Sequence, residues 1–319
     1  HAAVPALANE AVLATARALR EAGSAAIVVG PLPAYGKSLA EPLAELSQLL
    51  AAPIFAEAAS QARYALEDGK TATFPLFDWL LSAPGAAQRH RPELLLCVGA
   101  TPTSSAFERW AATVPRRIVL AEHGYPDALG SAELVASGDL RAALSALVAE
   151  LRAAGSGPTA PRAGAWLGEL RSAHEKCALR VEQALAAPSA LLSEGLAVKS
   201  VVESVPDGAV LALGNSLPIR DVDAYVTRAA RVRVGVQRGA NGRDGLVSGA
   251  IGSAIGSGAP TLLLLGDVSL LHDLSALANV RLATSPLVVA LVDNAGGRIF
   301  DQLPVAKLYA GKPETELWR

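Results

Sequence analysis

The chain has no methionine and only two cysteines among its 319 residues. It opens at His1 with neither a charged n-region nor an apolar h-region, so its start reads as neither a translation start nor a secretory leader. Something upstream is expected to have been removed or left out. Cys97 and Cys177 fall in different predicted domains, which excludes a disulfide framework and any metal-ligand spacing and agrees with a reducing, cytoplasmic setting. Each is expected to be a buried apolar residue. Runs of basic residues are also missing. With a net charge of -2 and a pI near 6.3, a general nucleic-acid binder and a polybasic membrane contact are both excluded. Mean hydropathy is high at +0.32, yet no apolar run reaches the roughly 18 residues a membrane span needs.

What is present is alternation. Helical and strand patterns succeed one another from about residue 8: a helix near 8–21, a strand over 25–29, a helix near 38–50, strands near 53–56, 94–98, 117–121 and 134–136, and a helix near 139–153. The stretch "AGSGPTAPRAGA" at 154–165 has linker composition, and a polar helix follows to about residue 186. A second block carries strands near 209–213, 232–236, 261–265 and 286–292. The fold class expected is α/β, with two parallel-sheet three-layer domains at 1–153 and 191–319 joined by a linker and connecting helix over 154–190.

The segment "GDVSLLHDLSALANVRLATSPLVVALVDNAGG" at 266–297 sets Asp267 after one apolar run and Asp293-Asn294 after the next. Leu270, Leu271, Leu274, Leu277 and Ala278 have the spacing of one apolar helix face between them, with Ser269 as a cap. A β-α-β crossover makes the two strands parallel, so Asp267 and Asn294 are expected to meet on the sheet edge that open α/β folds use for ligands. One carboxylate, one amide oxygen and a backbone carbonyl form a sparse set of hard donors, suited to Mg²⁺ with water and phosphate oxygens completing its shell. Gly296-Gly297 would admit a phosphate closely. The plainer alternative is a helix-capping Asp267 and a turn at 294–296.

"GPLPAYGKS" at 30–38 occupies the place of a phosphate-binding loop, but five residues separate its glycines and Pro31 and Pro33 lack N–H groups, so nucleotide binding is not expected there. "SGAIGSAIGSG" at 248–258 keeps helical spacing and reads as a helix stopped at Gly256-Ser257-Gly258. Ser216 and Arg220 follow one strand and Arg238 ends the next. Two guanidinium forks on the ligand edge could clamp a carboxylate or phosphate, the alternative being arginines at loop starts. His123 and His272 read as structural.

In order, GNSLPIRD, QRGANGRDGLVSG, GDVSLLHDL and DNAGGRIFDQLPVA resemble the thiamine-diphosphate-dependent 2-succinyl-5-enolpyruvyl-6-hydroxy-3-cyclohexene-1-carboxylate synthases (the MenD family of menaquinone biosynthesis). Residues 1–160, with "ELLLCVGATPTSSAFERW", resemble that family's central domain, and the second block resembles its diphosphate-binding domain. The resemblance implies Mg²⁺ or Mn²⁺ held by Asp267, the Asn294 side chain and the Gly296 carbonyl. It implies thiamine diphosphate bound by Gly266, Asp267, Val268, Ser269, Asn294, Gly296, Gly297, Ile299 and Phe300. Ser216, Arg220, Arg238 and Leu303 would contact the substrates 2-oxoglutarate and isochorismate. The family decarboxylates the first and adds the succinyl-semialdehyde unit to the second. No catalytic residue is assigned in this chain, because the family's activating glutamate belongs to an N-terminal pyrimidine-binding domain with no counterpart here.

The chain is thus expected to be incomplete at both ends and inactive alone, working as a homo-oligomer (dimer or tetramer) or beside a chain that carries the pyrimidine domain. Three positions depart from the family: Arg243 stands where an apolar wedge, usually isoleucine, supports the cofactor, Ser105 where lysine is common, and Cys97 where arginine is common. They leave open a degenerate, non-catalytic binding protein. A lyase or decarboxylase of another 2-oxo acid is the remaining alternative.

Overall fold

A computed structural model describes residues 4–32, 38–66, 71–155, 161–188, 192–238 and 242–313. The chain divides into two compact units, His1–Ala184 and Leu185–Arg319.

Unit 1 runs α1 (Asn9–Glu21), β1 (Ala25–Val29), α2 (Ala40–Leu50), β2 (Ile54–Ala56), α3 (Gln61–Ala65), α4 (Phe77–Ser82), α5 (Ala86–Arg89), β3 (Leu94–Val98), α6 (Ser105–Ala111), β4 (Arg116–Ala121), β5 (Leu134–Ser137), α7 (Leu140–Ala153) and α8 (Pro161–Leu185). Its five strands are all parallel in the order β2-β1-β3-β4-β5. Strand residues alternate between two cores, as period-2 side chains must in a sheet covered on both faces. Ile27 and Val29 join Leu19, Leu43 and Leu147 on one side. Ala26 and Val28 join Phe55, Phe77, Trp110 and Leu170 on the other. That is a three-layer α/β domain.

The second core is aromatic. Phe55 packs against Phe74, Phe77 and Trp110 with ring centroids 5.6, 6.0 and 5.4 Å away. Helix α8 belongs to this core: Leu170 is fully buried in it, Trp166, Leu167 and Ala173 pack against it, and the His174 ring hydrogen-bonds the Pro75 carbonyl. Both cysteines are half-buried and not fully enclosed. Burial still pushes the Cys97 thiol up, which keeps it protonated and unreactive.

Unit 2 runs α9 (Glu194–Glu203), β6 (Val210–Leu213), α10 (Leu217–Tyr225), β7 (Arg233–Val236), α11 (Leu246–Ser257), β8 (Thr261–Gly266), α12 (Asp267–His272), a 3₁₀ segment (Leu274–Leu282), β9 (Leu287–Val292), a second 3₁₀ segment (Arg298–Gln302) and α13 (Pro304–Tyr309). Its four strands are parallel in the order β7-β6-β8-β9. Helix α11 lays Val247, Ala250 and Ile251 on Ala212, Leu263 and Leu265. Gly258, at φ 62°, ends that helix, as the glycine spacing leads one to expect. Strand β9 is at the sheet edge and leaves Val288 and Leu291 exposed. Among the described residues no helix is long and apolar enough to cross a membrane.

The single helix expected between β8 and β9 is not formed. α12 stops at His272, and Asp273 there accepts the Ser248 N–H at 2.9 Å and faces its hydroxyl at 3.3 Å. The chain continues with 3₁₀ pitch, whose period of three turns a different set of residues inward. Leu271, Leu274 and Leu277 are exposed, while Ala276, Leu270 and Val280 meet the core. Ser269 is buried inside α12, and Gly266 takes the N-cap position.

Phe55 is the shared partner of the aromatic core, so Phe55→Ala should lower the stability of unit 1 by about 3–5 kcal/mol. Urea unfolding followed by tryptophan fluorescence measures it, and a midpoint equal to wild type would contradict this packing.

Candidate functional site

In unit 2 the strand order reverses between β6 and β8, since β6 leads to β7 on one flank and the chain then crosses to β8 on the other. An open parallel sheet forms its ligand crevice at such a point, beyond the carboxyl ends of the strands. The two strands approach closely there. A Cβ at Gly214 would lie 2.9 Å from the Leu264 carbonyl oxygen, so no larger residue fits without displacing backbone. The next residue, Asn215, is buried and donates its amide to the carbonyls of Gln237 (2.9 Å) and Gly242 (2.8 Å), tying the loop after β7 to the end of β6. Ser216 then adopts φ 74° and ψ -128°, a conformation costly for any residue with a side chain and often met at functional sites.

The ends of β8 and β9 are joined just as tightly. Asp267 Oδ2 accepts the Gly296 N–H at 2.7 Å, and Oδ1 accepts the Val268 N–H at 2.7 Å. The intervening Ala295 and Gly296 turn back with φ of 62° and 113°. Asn294 is fixed at both of its ends. Its side-chain nitrogen donates to the two Glu194 oxygens at 3.0 and 3.1 Å, and its backbone carbonyl accepts from Arg298 Nε at 2.9 Å. The Gly296 carbonyl accepts the Arg298 N–H at 3.0 Å and keeps a second lone pair.

Around these groups lies an open recess. Nine of the residues singled out in the sequence line it: Ser216, Gly266, Asp267, Val268, Ser269, Asn294, Gly296, Gly297 and Ile299. Phe300, Leu303, Arg220 and Arg238 do not. Leu303 is exposed, and Phe300 lies in the 3₁₀ segment after Gly297. Arg220 donates to the Ser216 carbonyl at 2.7 Å, and Arg238 stands 3.5 Å from Asn215 Oδ1, the limit of a hydrogen bond. Residues 33–37, most of the proline-rich stretch considered for phosphate, lie outside the described residues. His272 is exposed at 3.5 Å from Asp244.

Glu194, Arg298 and Arg243 also line the recess. Arg243 was marked only as a departure, and Glu194 carried no signal at all, because it precedes Asn294 by 100 residues on a helix with no recognisable motif. Helix α9 brings it in. A Cβ at Gly195 would lie 2.8 Å from the Tyr225 ring, so only glycine lets the start of α9 come this near α10. Asp221 on α10 neighbours Glu194 in turn. Burial first, and the neighbouring Glu194 charge second, push the Asp221 carboxyl up to about 8, against a smaller opposing pull from Arg220.

No group of three His, Cys, Asp or Glu side chains suited to a metal occurs among the described residues. A hard cation with few protein ligands is a different case, and for it the recess does fit. Asn294 Oδ1 is buried with no hydrogen-bond partner, an uncompensated acceptor on a residue that lines the recess with Asp267 and Gly296.

No family model matches the sequence. Curated relatives do. The chain is 38% identical over 270 residues to a 2-succinyl-5-enolpyruvyl-6-hydroxy-3-cyclohexene-1-carboxylate synthase of Sorangium cellulosum, covering 82% of this chain and 43% of that protein. It is 36% identical over 285 residues to the synthase of the same name from Myxococcus xanthus, covering 88% and 46%. With that of Geobacillus kaustophilus it shares 32% over 314 residues, covering 98% and 52%. The chain therefore spans about half the length of the curated relatives it matches.

The raised Asp221 carboxyl has a consequence for stability. The folded chain holds a proton there that the unfolded chain releases near pH 4, so stability should decline as pH rises from about 4 to about 8 and flatten above it. Asp221→Asn cannot ionise, and its urea midpoint should fall less over that window. Parallel curves for the two proteins would contradict the assignment.

Proposed function

Because the chain belongs to the 2-succinyl-5-enolpyruvyl-6-hydroxy-3-cyclohexene-1-carboxylate synthase family, we propose that unit 2 holds Mg²⁺ or Mn²⁺ and the diphosphate of thiamine diphosphate, with unit 1 as the central domain of such a synthase. The observation that carries this reading is the buried, unpartnered Oδ1 of Asn294, a residue that lines one recess with Asp267 and Gly296.

In this reading Asp267, Asn294 Oδ1 and the Gly296 carbonyl are the protein's donors to the metal, few enough to leave room for phosphate oxygens and water. Gly266, Val268, Ser269 and Gly297 line the diphosphate, and Ile299 and Phe300 give its heterocyclic end an apolar wall. Ser216, Arg220 and Arg238 orient the carboxylates of 2-oxoglutarate and isochorismate, with Leu303 on the apolar side. Arg220 donates to the Ser216 carbonyl and Arg238 reaches toward Asn215 Oδ1, contacts that limit the freedom of both side chains. Thiamine diphosphate, when bound, supplies the stabilised carbanion chemistry that decarboxylates a 2-oxo acid and forms a carbon–carbon bond.

The activity proposed for the complete protein is decarboxylation of 2-oxoglutarate and transfer of the four-carbon unit to isochorismate, in a cytoplasmic homo-oligomer. In the family, the glutamate that activates the cofactor belongs to an N-terminal pyrimidine-binding domain. A second reading, a binding protein without catalysis, is favoured by one observation: Arg243 lines the recess and puts a cation beside the place where a thiazolium would lie.

Calorimetric titration of thiamine diphosphate tests the proposal. Binding with Mg²⁺ should vanish with EDTA and weaken at least ~10-fold in Asp267→Ala, the scale on which losing a metal's supporting groups is felt. Arg243→Ile should bind at least as tightly as wild type. No binding by either wild type or Arg243→Ile at millimolar cofactor would contradict the reading of unit 2.

A further inference from the structure

We propose that Glu194 is a positioning residue: it selects which end of the Asn294 amide faces the recess, and so makes Asn294 an oxygen donor to the metal. The inference rests on the reading of Asn294 as a metal ligand and adds a residue to it.

The argument is one of hydrogen-bond polarity. The two ends of an asparagine amide have nearly the same shape, and only their partners decide which is which. A carboxylate offers acceptors alone. Both Glu194 oxygens lie within 3.1 Å of Asn294 Nδ2, so the NH₂ end has to face Glu194. The oxygen is then left over, buried and without a partner, on a residue that lines the same recess as Asp267. Turned the other way, the amide would set oxygen against the Glu194 carboxylate and present N–H groups to a cation, losing a ligand and gaining a repulsion.

Glu194 is itself kept in place. Gly195 lets the start of α9 close on Tyr225, and Asp221 neighbours the carboxylate from α10. Arg298 holds the Asn294 carbonyl, so rotation of the side chain is the freedom that remains for Glu194 to restrict. Groups that orient a ligand in this way typically contribute ~10–100-fold to metal affinity.

The test is Mn²⁺ affinity, read from the electron paramagnetic resonance signal of free Mn²⁺ with thiamine diphosphate in fixed excess. Wild type should bind and Asp267→Ala should not. Glu194→Leu, which accepts no hydrogen bond, should raise the Kd at least ~10-fold, and Glu194→Gln, which tolerates either amide orientation, should fall between. The deciding arm is Asn294→Asp, whose two oxygens need no orienting. In that background Glu194→Leu should leave the Kd unchanged or lower it, because a like charge has been removed. An unchanged Kd in Glu194→Leu, or an equal loss in both backgrounds, would overturn the proposal. Should Glu194→Leu lose its near-ultraviolet circular dichroism, Glu194→Gln decides, and a wild-type Kd there overturns it. If wild type shows no Mn²⁺ binding that depends on Asp267, the metal reading itself fails and the role of Glu194 fails with it. That outcome is distinct from a site that binds the metal and ignores Glu194.

Discussion

Parallel pairing of β8 with β6 on one side and β9 on the other is the constraint on which unit 2 depends. Parallel strands end on a common edge, and that alone brings Gly214-Asn215-Ser216, Gly266-Asp267 and the turn after Val292 to one rim. The close approach at Gly214 draws β6 against β8, and the bond from the Gly296 N–H to Asp267 closes the other flank. Donors scattered over 80 residues of sequence thereby face one recess. The backbone costs collect at the same rim, with positive φ at Ser216 and Ala295, both of which carry a Cβ.

Asp267, Asn294 and Glu194 all line the recess, and Asp221 neighbours Glu194. Burying two acids together is unfavourable unless one carries a proton, and the raised Asp221 carboxyl meets that condition near neutral pH. Glu194 sets the polarity of the Asn294 amide, whose Oδ1 is left buried without a partner.

The framework was legible in the sequence because its signals are local. Short β-branched runs such as Pro286–Val292, closed by Gly or Asp, favour strands, and the order of strands and helices implied parallel sheets. Asp267 and Asn294 could be placed at one sheet edge on that logic. Less local features were not legible. Five apolar residues at helical spacing suggested one helix after Asp267, but the hydrogen bonds of Asp273 to Ser248 break it, and nothing in the periodicity announces a partner 25 residues away. Glu194 and Asp221 were invisible for the same reason. Their meaning lies in the approach of α9 to α10, which depends on Gly195, one of 28 glycines in the chain. The polar character of α8 suggested a spacer, whereas Trp166, Leu167 and Leu170 carry enough apolar surface to pack on the aromatic core of unit 1.

The account's central claim is that Asn294 presents oxygen, and not nitrogen, to a divalent cation beside Asp267. Crystals of the chain grown with Mn²⁺ and thiamine diphosphate test it directly through an anomalous difference map. The claim predicts a manganese peak at about 2.0–2.3 Å from Asn294 Oδ1 and an Asp267 oxygen, with Asn294 Nδ2 still on Glu194. A peak elsewhere, or an Asn294 whose amide has left Glu194 while the metal remains bound, would contradict it.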